Sequence, residues 1–144
     1  MTHFQPLVSA LVGAPGLVQR FHHEAFSYYD RLSPVLRFVT ANVATPISLD
    51  GAAKVAGLER KYFSAFFHSK VGATFTEWIR VLRVCRAMEL MRAHDDSIIR
   101  TAFAAGFRDV RTFERAFKRY VGVSPMAYRA SVRPEHEGCR EPHD

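Results

Sequence analysis

Cysteine is scarce in this chain. There are two in 144 residues, Cys85 and Cys139, and no CxxC pair. That excludes a disulfide framework and a cysteine-rich zinc module. Long apolar runs are missing too: nothing approaches the ~20 consecutive apolar residues of a membrane-spanning helix. The nearest candidate, Leu7 to Val18, is interrupted by Pro15 and has no basic residues before it, so it does not read as a secretory leader. The chain is expected in the cytoplasm, without a membrane partner. Metal-binding patterns are equally thin. His22, His23 and Glu24 are adjacent, and adjacent residues on a helix do not share a face. His136, Cys139 and His143 have usable spacing but fall in a terminus that reads as disordered. Neither metal nor cofactor is expected.

Acidic residues are in deficit, 14 against 20 Lys and Arg, for a formal charge of +6. The segment balances are +1 for 1–45, +7 for 46–130 and −2 for 131–144. A generic basic surface is the bland explanation. Concentration in one stretch is what binding to a phosphate backbone requires.

That stretch carries two copies of one pattern. In the second, Asp96 or Ser97 opens a short helix from Ile98 to Ala105. Gly106 supplies a sharp turn through positive φ, and Asp109 caps a further helix. On that helix Phe113 and Phe117 point inward together. Val110, Arg111, Glu114, Arg115 and Lys118 remain on the outer face. Helix, glycine turn and basic-faced helix is the layout of a helix-turn-helix. Upstream, Ser48 caps a helix from Leu49 to Val55, Ala56-Gly57 turns, and Glu59 to Lys70 forms the next helix. There Phe63 and Phe67 repeat the inward pair. Between the copies, Thr74 and Glu77 make a capping box for a long helix ending near Ala93. About 19 residues at ~1.5 Å each span nearly 30 Å, close to one DNA turn of ~34 Å.

Ahead of these lie two further elements. The spacing of Leu17, Phe21, Ala25, Tyr28 and Leu32 predicts a helix from Gly16 to Leu32, either packed on the rest of the chain or offered for dimerisation. Ser33-Pro34 reads as an N-cap followed by proline at the first helical position, opening a helix that stops before Pro46. Residues 131–144 hold Pro134, Gly138 and Pro142, have little apolar content and read as a disordered tail.

Ser97-Ile98, Gly106-Phe107, Phe113, Arg115, Phe117-Lys118-Arg119, Gly122, Ser124-Pro125 and Tyr128-Arg129 together resemble the AraC/XylS family of bacterial transcription regulators. Gly57-Leu58, Tyr62-Phe63-Ser64, Phe66-Phe67 and Gly72 are similar to that family's first helix-turn-helix. The resemblance implies an all-α, homeodomain-like fold of two helix-turn-helix subdomains joined by a long connector helix. The domains would be an N-terminal helical extension at 1–32 and a DNA-binding domain at 33–130. Within it lie a first helix-turn-helix at 48–70, the connector at 74–93 and a second helix-turn-helix at 97–120. Some residues depart from the family pattern: Glu59 in place of a good N-cap, Gly51 and Ala52 in the preceding helix, Ala65 at a reading position, and Thr101 where Ile is usual.

The function implied is sequence-specific binding to double-stranded promoter DNA on the bacterial nucleoid, with RNA polymerase as partner. Arg60, Lys61, Ser64 and His68, with Arg111, Glu114 and Arg115, are candidates for base edges. Lys54, Arg80, Lys118 and Arg119 are candidates for phosphates. Arg115 has a structural role as its alternative. Most family members carry a separate ligand-sensing domain; with about 32 residues before the DNA-binding region, a stand-alone member is expected. Two other classes compete. Alkyl transfer in DNA repair needs an activated cysteine, for which only mid-helix Cys85 and tail Cys139 are present. A partner-binding accessory protein that has lost DNA reading would keep the fold without a specific operator.

Overall fold

The structure, a computed structural model, describes residues 21–132. Among these, eight helices occur and no strand: α1 (Ala25–Tyr28), α2 (Ser33–Asn42), α3 (Leu49–Ala56), α4 (Arg60–Val71), α5 (Phe75–Ala93), α6 (Ile98–Ala104), α7 (Val110–Val121) and α8 (Pro125–Val132). The all-α expectation holds, with α3–α4 and α6–α7 as the two helix-turn-helix units on either side of α5.

The helices from α3 to α7 each start where a side chain takes up a free N–H group. Ser48 Oγ accepts from the Gly51 amide at 2.9 Å, Thr74 Oγ1 from Glu77 at 3.1 Å, Ser97 Oγ from Arg100 at 3.1 Å and Asp109 Oδ1 from Thr112 at 2.7 Å. Glu59 caps α4 at a longer 3.3 Å from the Tyr62 amide, the weaker start expected of a long side chain at that position. Thr101 is buried and turns its hydroxyl to the Ser97 carbonyl at 2.9 Å, which resolves the polar group at an otherwise apolar site.

Two aromatic cores are strung along α5. In the first, Phe63 and Phe67 meet Phe75 and Trp78 at ring distances of 5.2–5.6 Å. In the second, Phe113 packs between Phe107 and Phe117, and Phe117 meets Tyr128 of α8 at 5.6 Å. All four paired phenylalanines, Phe63, Phe67, Phe113 and Phe117, have no exposed surface. The i, i+4 pairs thus anchor each unit, as periodicity alone requires. Arg92 closes the second unit by donating to Tyr128 Oη at 2.7 Å, and Arg129 donates to the Asp96 carbonyl at 2.9 Å.

The segment before Ser33 differs from the expected helix over 16–32. Residues 16–20 lie outside the described range, and within 21–32 only the four residues of α1 are helical. Tyr29 leaves the helix with φ −100° and ψ 118°. The cause is tertiary. On one straight helix Phe21 and Phe26 would point roughly 140° apart, yet both are buried. Phe26 stacks on Trp78 at 4.9 Å and meets Phe67 at 6.0 Å, whereas Tyr28 of the expected inner face is left 77% exposed.

Ser33 is likewise not an N-cap. It is the first residue of α2, with Leu32 before it and no side-chain cap. The Leu32 and Ser33 amides instead donate to the Tyr29 carbonyl, so a turn feeds the helix directly. At the other end α8 runs to Val132, two residues into the expected tail; residues 133–144, with His136, Cys139 and His143, lie outside the described range.

The two units also meet beside α5, around Arg83. Arg83 of α5 donates to the carbonyls of Val43 at 3.0 Å and Thr45 at 2.8 Å, capping the chain that leaves α2. Burial, and next the nearby charge of Arg108, hold Arg83 below the usual guanidinium range. Gly106, the turn of the second unit, is seated against this same place.

Candidate nucleic-acid interface

The second reading helix, α7, is divided sharply by its own sequence. Phe113, Ala116, Phe117 and Tyr120 are buried, while Arg111, Glu114, Arg115, Lys118 and Arg119 are exposed. Asp109 fixes the start of this helix. Its carboxylate also takes the Thr112 hydroxyl at 3.0 Å. The Thr112 amide and hydroxyl, and then the charge of Arg115, hold its carboxyl below the usual aspartate range. A cap that stays ionised also complements the positive end of the helix dipole. Arg115 makes no hydrogen bond or ion pair to a described residue, and its side chain is free to reach outward. Arg119 lies 5.3 Å from the centre of the Tyr120 ring.

The first reading helix, α4, exposes Arg60, Lys61, Ser64, Ala65 and His68. Its cations are partly committed. Arg60 Nε stands 3.7 Å from Asp50 Oδ1, and Lys70 Nζ sits over the rings of Tyr29 and Phe66 at 5.1 and 5.9 Å. Lys61 is the cation on α4 with no such engagement to a described residue. Of the phosphate candidates, Lys54 is exposed in the last turn of α3, and Arg80 is half-buried on α5.

Sequence reasoning passed over Tyr62. It is 62% exposed on α4, beside Lys61, and stacks on Phe66 one turn away at 6.4 Å. Its signal was available: it belongs to the Tyr62-Phe63-Ser64 match, where only Phe63 turns inward. An exposed ring there can contact a thymine methyl group or a sugar.

Arg60, Lys61, Ser64, Arg80, Arg115 and Arg119 line three adjoining recesses that form one trough. A recess of about 470 Å³ is lined by Leu49, Glu59, Arg60, Lys61 and Ser64. A second of about 230 Å³ lies between the units, with Leu49 again on its wall, and with Arg80, Arg83, Arg108, Asp109 and Thr112. A third of about 240 Å³ is walled by Arg80, Thr112, Arg115, Ala116 and Arg119. Leu49 is common to the first two recesses, and Arg80 and Thr112 to the last two. His68, Lys54, Arg111, Glu114 and Lys118 are exposed on the helices flanking the trough.

Cys85 does not support alkyl transfer. It is fully buried on α5, and burial pushes its thiol up to about 12, far from the thiolate such chemistry needs. Among the described residues no His, Cys, Asp or Glu cluster could hold a metal ion, and no helix is long and apolar enough to cross a membrane.

Two capped helix-turn-helix units, each with a basic helix face outward, define a bipartite helix-turn-helix DNA-binding domain of the kind transcription regulators use. A family model described as a helix-turn-helix domain matches residues 52–131. The chain belongs to the AraC/XylS family of transcription regulators. It is 30% identical over 100 residues to the HTH-type transcriptional activator AarP of Providencia stuartii, covering 69% of this chain and 74% of that protein. It is 30% identical over 98 residues to the melibiose operon regulatory protein of Escherichia coli K12, covering 68% of this chain but 32% of that relative's length. Its fold superposes on the DNA-binding domain of AdpA, a global transcriptional factor solved in complex with a target DNA. There the TM-score is 0.69 at 29% identity, covering 74% of this chain and 96% of the other.

Proposed function

We propose that the chain reads an asymmetric operator of about 20 bp as a monomer, setting α4 and α7 into successive major grooves and regulating the adjoining promoter. The observation that carries this is the geometry of α5. Its 19 residues span roughly 28 Å at ~1.5 Å each, with Phe75 and Trp78 in the core of the first unit and Arg92 bonded to Tyr128 of the second. The two heads differ in side chains, so the half-sites they recognise differ too.

In this reading Arg111, Glu114 and Arg115 on α7, and Arg60, Lys61, Ser64 and His68 on α4, face base edges. Lys54, Lys118 and Arg119 meet phosphates, while Arg80 of α5 stands between the two heads. Burial of Phe21, Ala25, Phe26 and Leu32 within this same chain supports the monomer over a dimer formed through 16–32. RNA polymerase is the partner through which a DNA-bound regulator acts on the bacterial nucleoid, and the activator name of AarP favours activation.

Selection of bound duplexes from a random 30-bp pool, followed by footprinting and sizing of the complex, tests the reading. One chain protecting two unlike half-sites a helical turn apart is the expected result. A palindromic footprint that requires two chains would overturn the monomer. Failure to enrich any sequence at low salt would point to an accessory protein instead.

A further inference from the structure

We infer that the middle of the trough, at Arg80 and Arg108, reads the width of the minor groove between the two half-sites, so that operator choice depends on base pairs no side chain reads directly. This rests on the proposed function, because it needs a duplex lying across both heads.

Two major grooves met from one side of B-form DNA are separated by a minor groove. The recess between the units occupies the corresponding place, since it shares Leu49 with the recess at α4 and shares Arg80 and Thr112 with the recess at α7. Its charge is one-sided. Asp109 is the acid on its wall, and that carboxylate is engaged by Thr112 at the start of α7. Arg83 is spent on the Val43 and Thr45 carbonyls. Arg80 and Arg108 have no hydrogen-bonded or ionic partner among the described residues.

Such a place favours a narrow minor groove. Opposed phosphates there crowd together and deepen the negative potential, and arginine is the side chain drawn to it. A·T-rich steps narrow the groove, whereas the guanine 2-amino group fills its floor. The preference therefore appears as affinity for A·T in the centre of the site. Arg80 comes from the rigid connector, so its distance from both heads is fixed by the fold.

The test uses the full chain and the duplex enriched from the random pool. Its central four base pairs are rebuilt as A·T, G·C or inosine·C, the last having the major-groove face of G·C without the 2-amino group. The expected outcome for the unmodified chain is about tenfold weaker binding to the G·C centre than to A·T, with inosine·C restoring most of it. In Arg80→Ala the spread between centres should shrink below about twofold while preference at the outer positions persists. Equal binding to all three centres by the unmodified chain would overturn the inference while leaving the two-headed reading intact; that comparison depends on no variant folding. Uniform weakening of every centre in Arg80→Ala, with the spread kept, would also overturn it and make Arg80 a phosphate contact. If no duplex is bound specifically, the proposed function fails first.

Discussion

Gly106 stands against Val43: a Cβ there would run into the Val43 carbonyl oxygen and lie 2.8 Å from Nε of Arg83. The turn of the second unit is therefore seated on the strand of chain that enters the first, with Arg83 pinned between them. This contact, together with α5, fixes how the two heads face one another.

Gly106→Ala should accordingly be among the most damaging small substitutions in the chain. Its φ of 106° already disfavours an L side chain, and the backbone collision is added to that. A loss of at least about 2 kcal/mol is expected in urea unfolding. Gly122 is the control. It has φ 96° but nothing within 4 Å of its added Cβ, so Gly122→Ala should cost only ~1–2 kcal/mol. Equal losses would mean that the seat against Val43 carries no strain.

Phe21, Ala25, Phe26 and Leu32 belong to the core. Phe26 is buried against Trp78 and Phe67, so Phe26→Ala should cost about 3–5 kcal/mol, and deletion of residues 1–30 should unfold the first unit rather than trim an accessory. Tyr28→Ala, at a 77% exposed position, should leave the melt nearly unchanged. Circular dichroism of the three variants checks this. A truncated chain that kept full helicity and a sharp transition would restore the view of 1–32 as a separable extension.

Why this segment misled the sequence reading further than the reading helices did has a physical answer. The reading helices were legible because caps and periodicity agreed: Asp109, Gly122 and the Phe113/Phe117 pair all specify α7. The connector was legible from the Thr74 and Glu77 capping box. Over 16–32 the spacing of apolar residues spoke alone, because Pro15 and Ser33-Pro34 mark only its ends and no cap or breaker lies between Leu17 and Leu32. The first core needed one more aromatic ring, and Phe26 supplied it at the expense of a straight helix. The candidate site was legible as a set of exposed residues on two helices. That Arg60 leans on Asp50, that Lys70 covers two rings, and that a trough runs through Arg80 depend on contacts between segments far apart in sequence, which periodicity does not encode.

Acid should loosen α7 first at its cap. The Asp109 carboxyl sits below its ordinary range, held there by the Thr112 amide and hydroxyl. A depressed carboxylate adds stability above its unfolded value, ~3.9, and loses it as pH falls through the folded value. Asp109→Asn keeps a good cap but cannot titrate. The unmodified chain should therefore exceed the Asn variant in urea midpoint at pH 7, and the gap should narrow steadily towards pH 3. A gap independent of pH would show that the charge of Asp109 contributes nothing.

The second reading helix should carry more sequence discrimination than the first. Arg111, Glu114, Arg115 and Lys118 are exposed together on α7, whereas α4 offers Ser64 and Ala65 at its centre and has Arg60 beside Asp50 and Lys70 over aromatic rings. If Arg115 pairs with guanine, Arg115→Ala should cost ~1–3 kcal/mol on the enriched site and relax preference at one or two base pairs. Lys118→Ala should weaken all sequences alike and lower the salt slope by about one unit, as loss of a phosphate contact does. Arg115 is exposed and makes no hydrogen bond to a described residue, touching the fold only through its charge near Asp109, so its replacement should shift the thermal melt only slightly, separating reading from structure. Comparing Arg115→Ala with Lys61→Ala across single-base operator variants decides the asymmetry. Equal loss of discrimination would contradict it, and an unaltered base preference in Arg115→Ala would assign that arginine to the backbone.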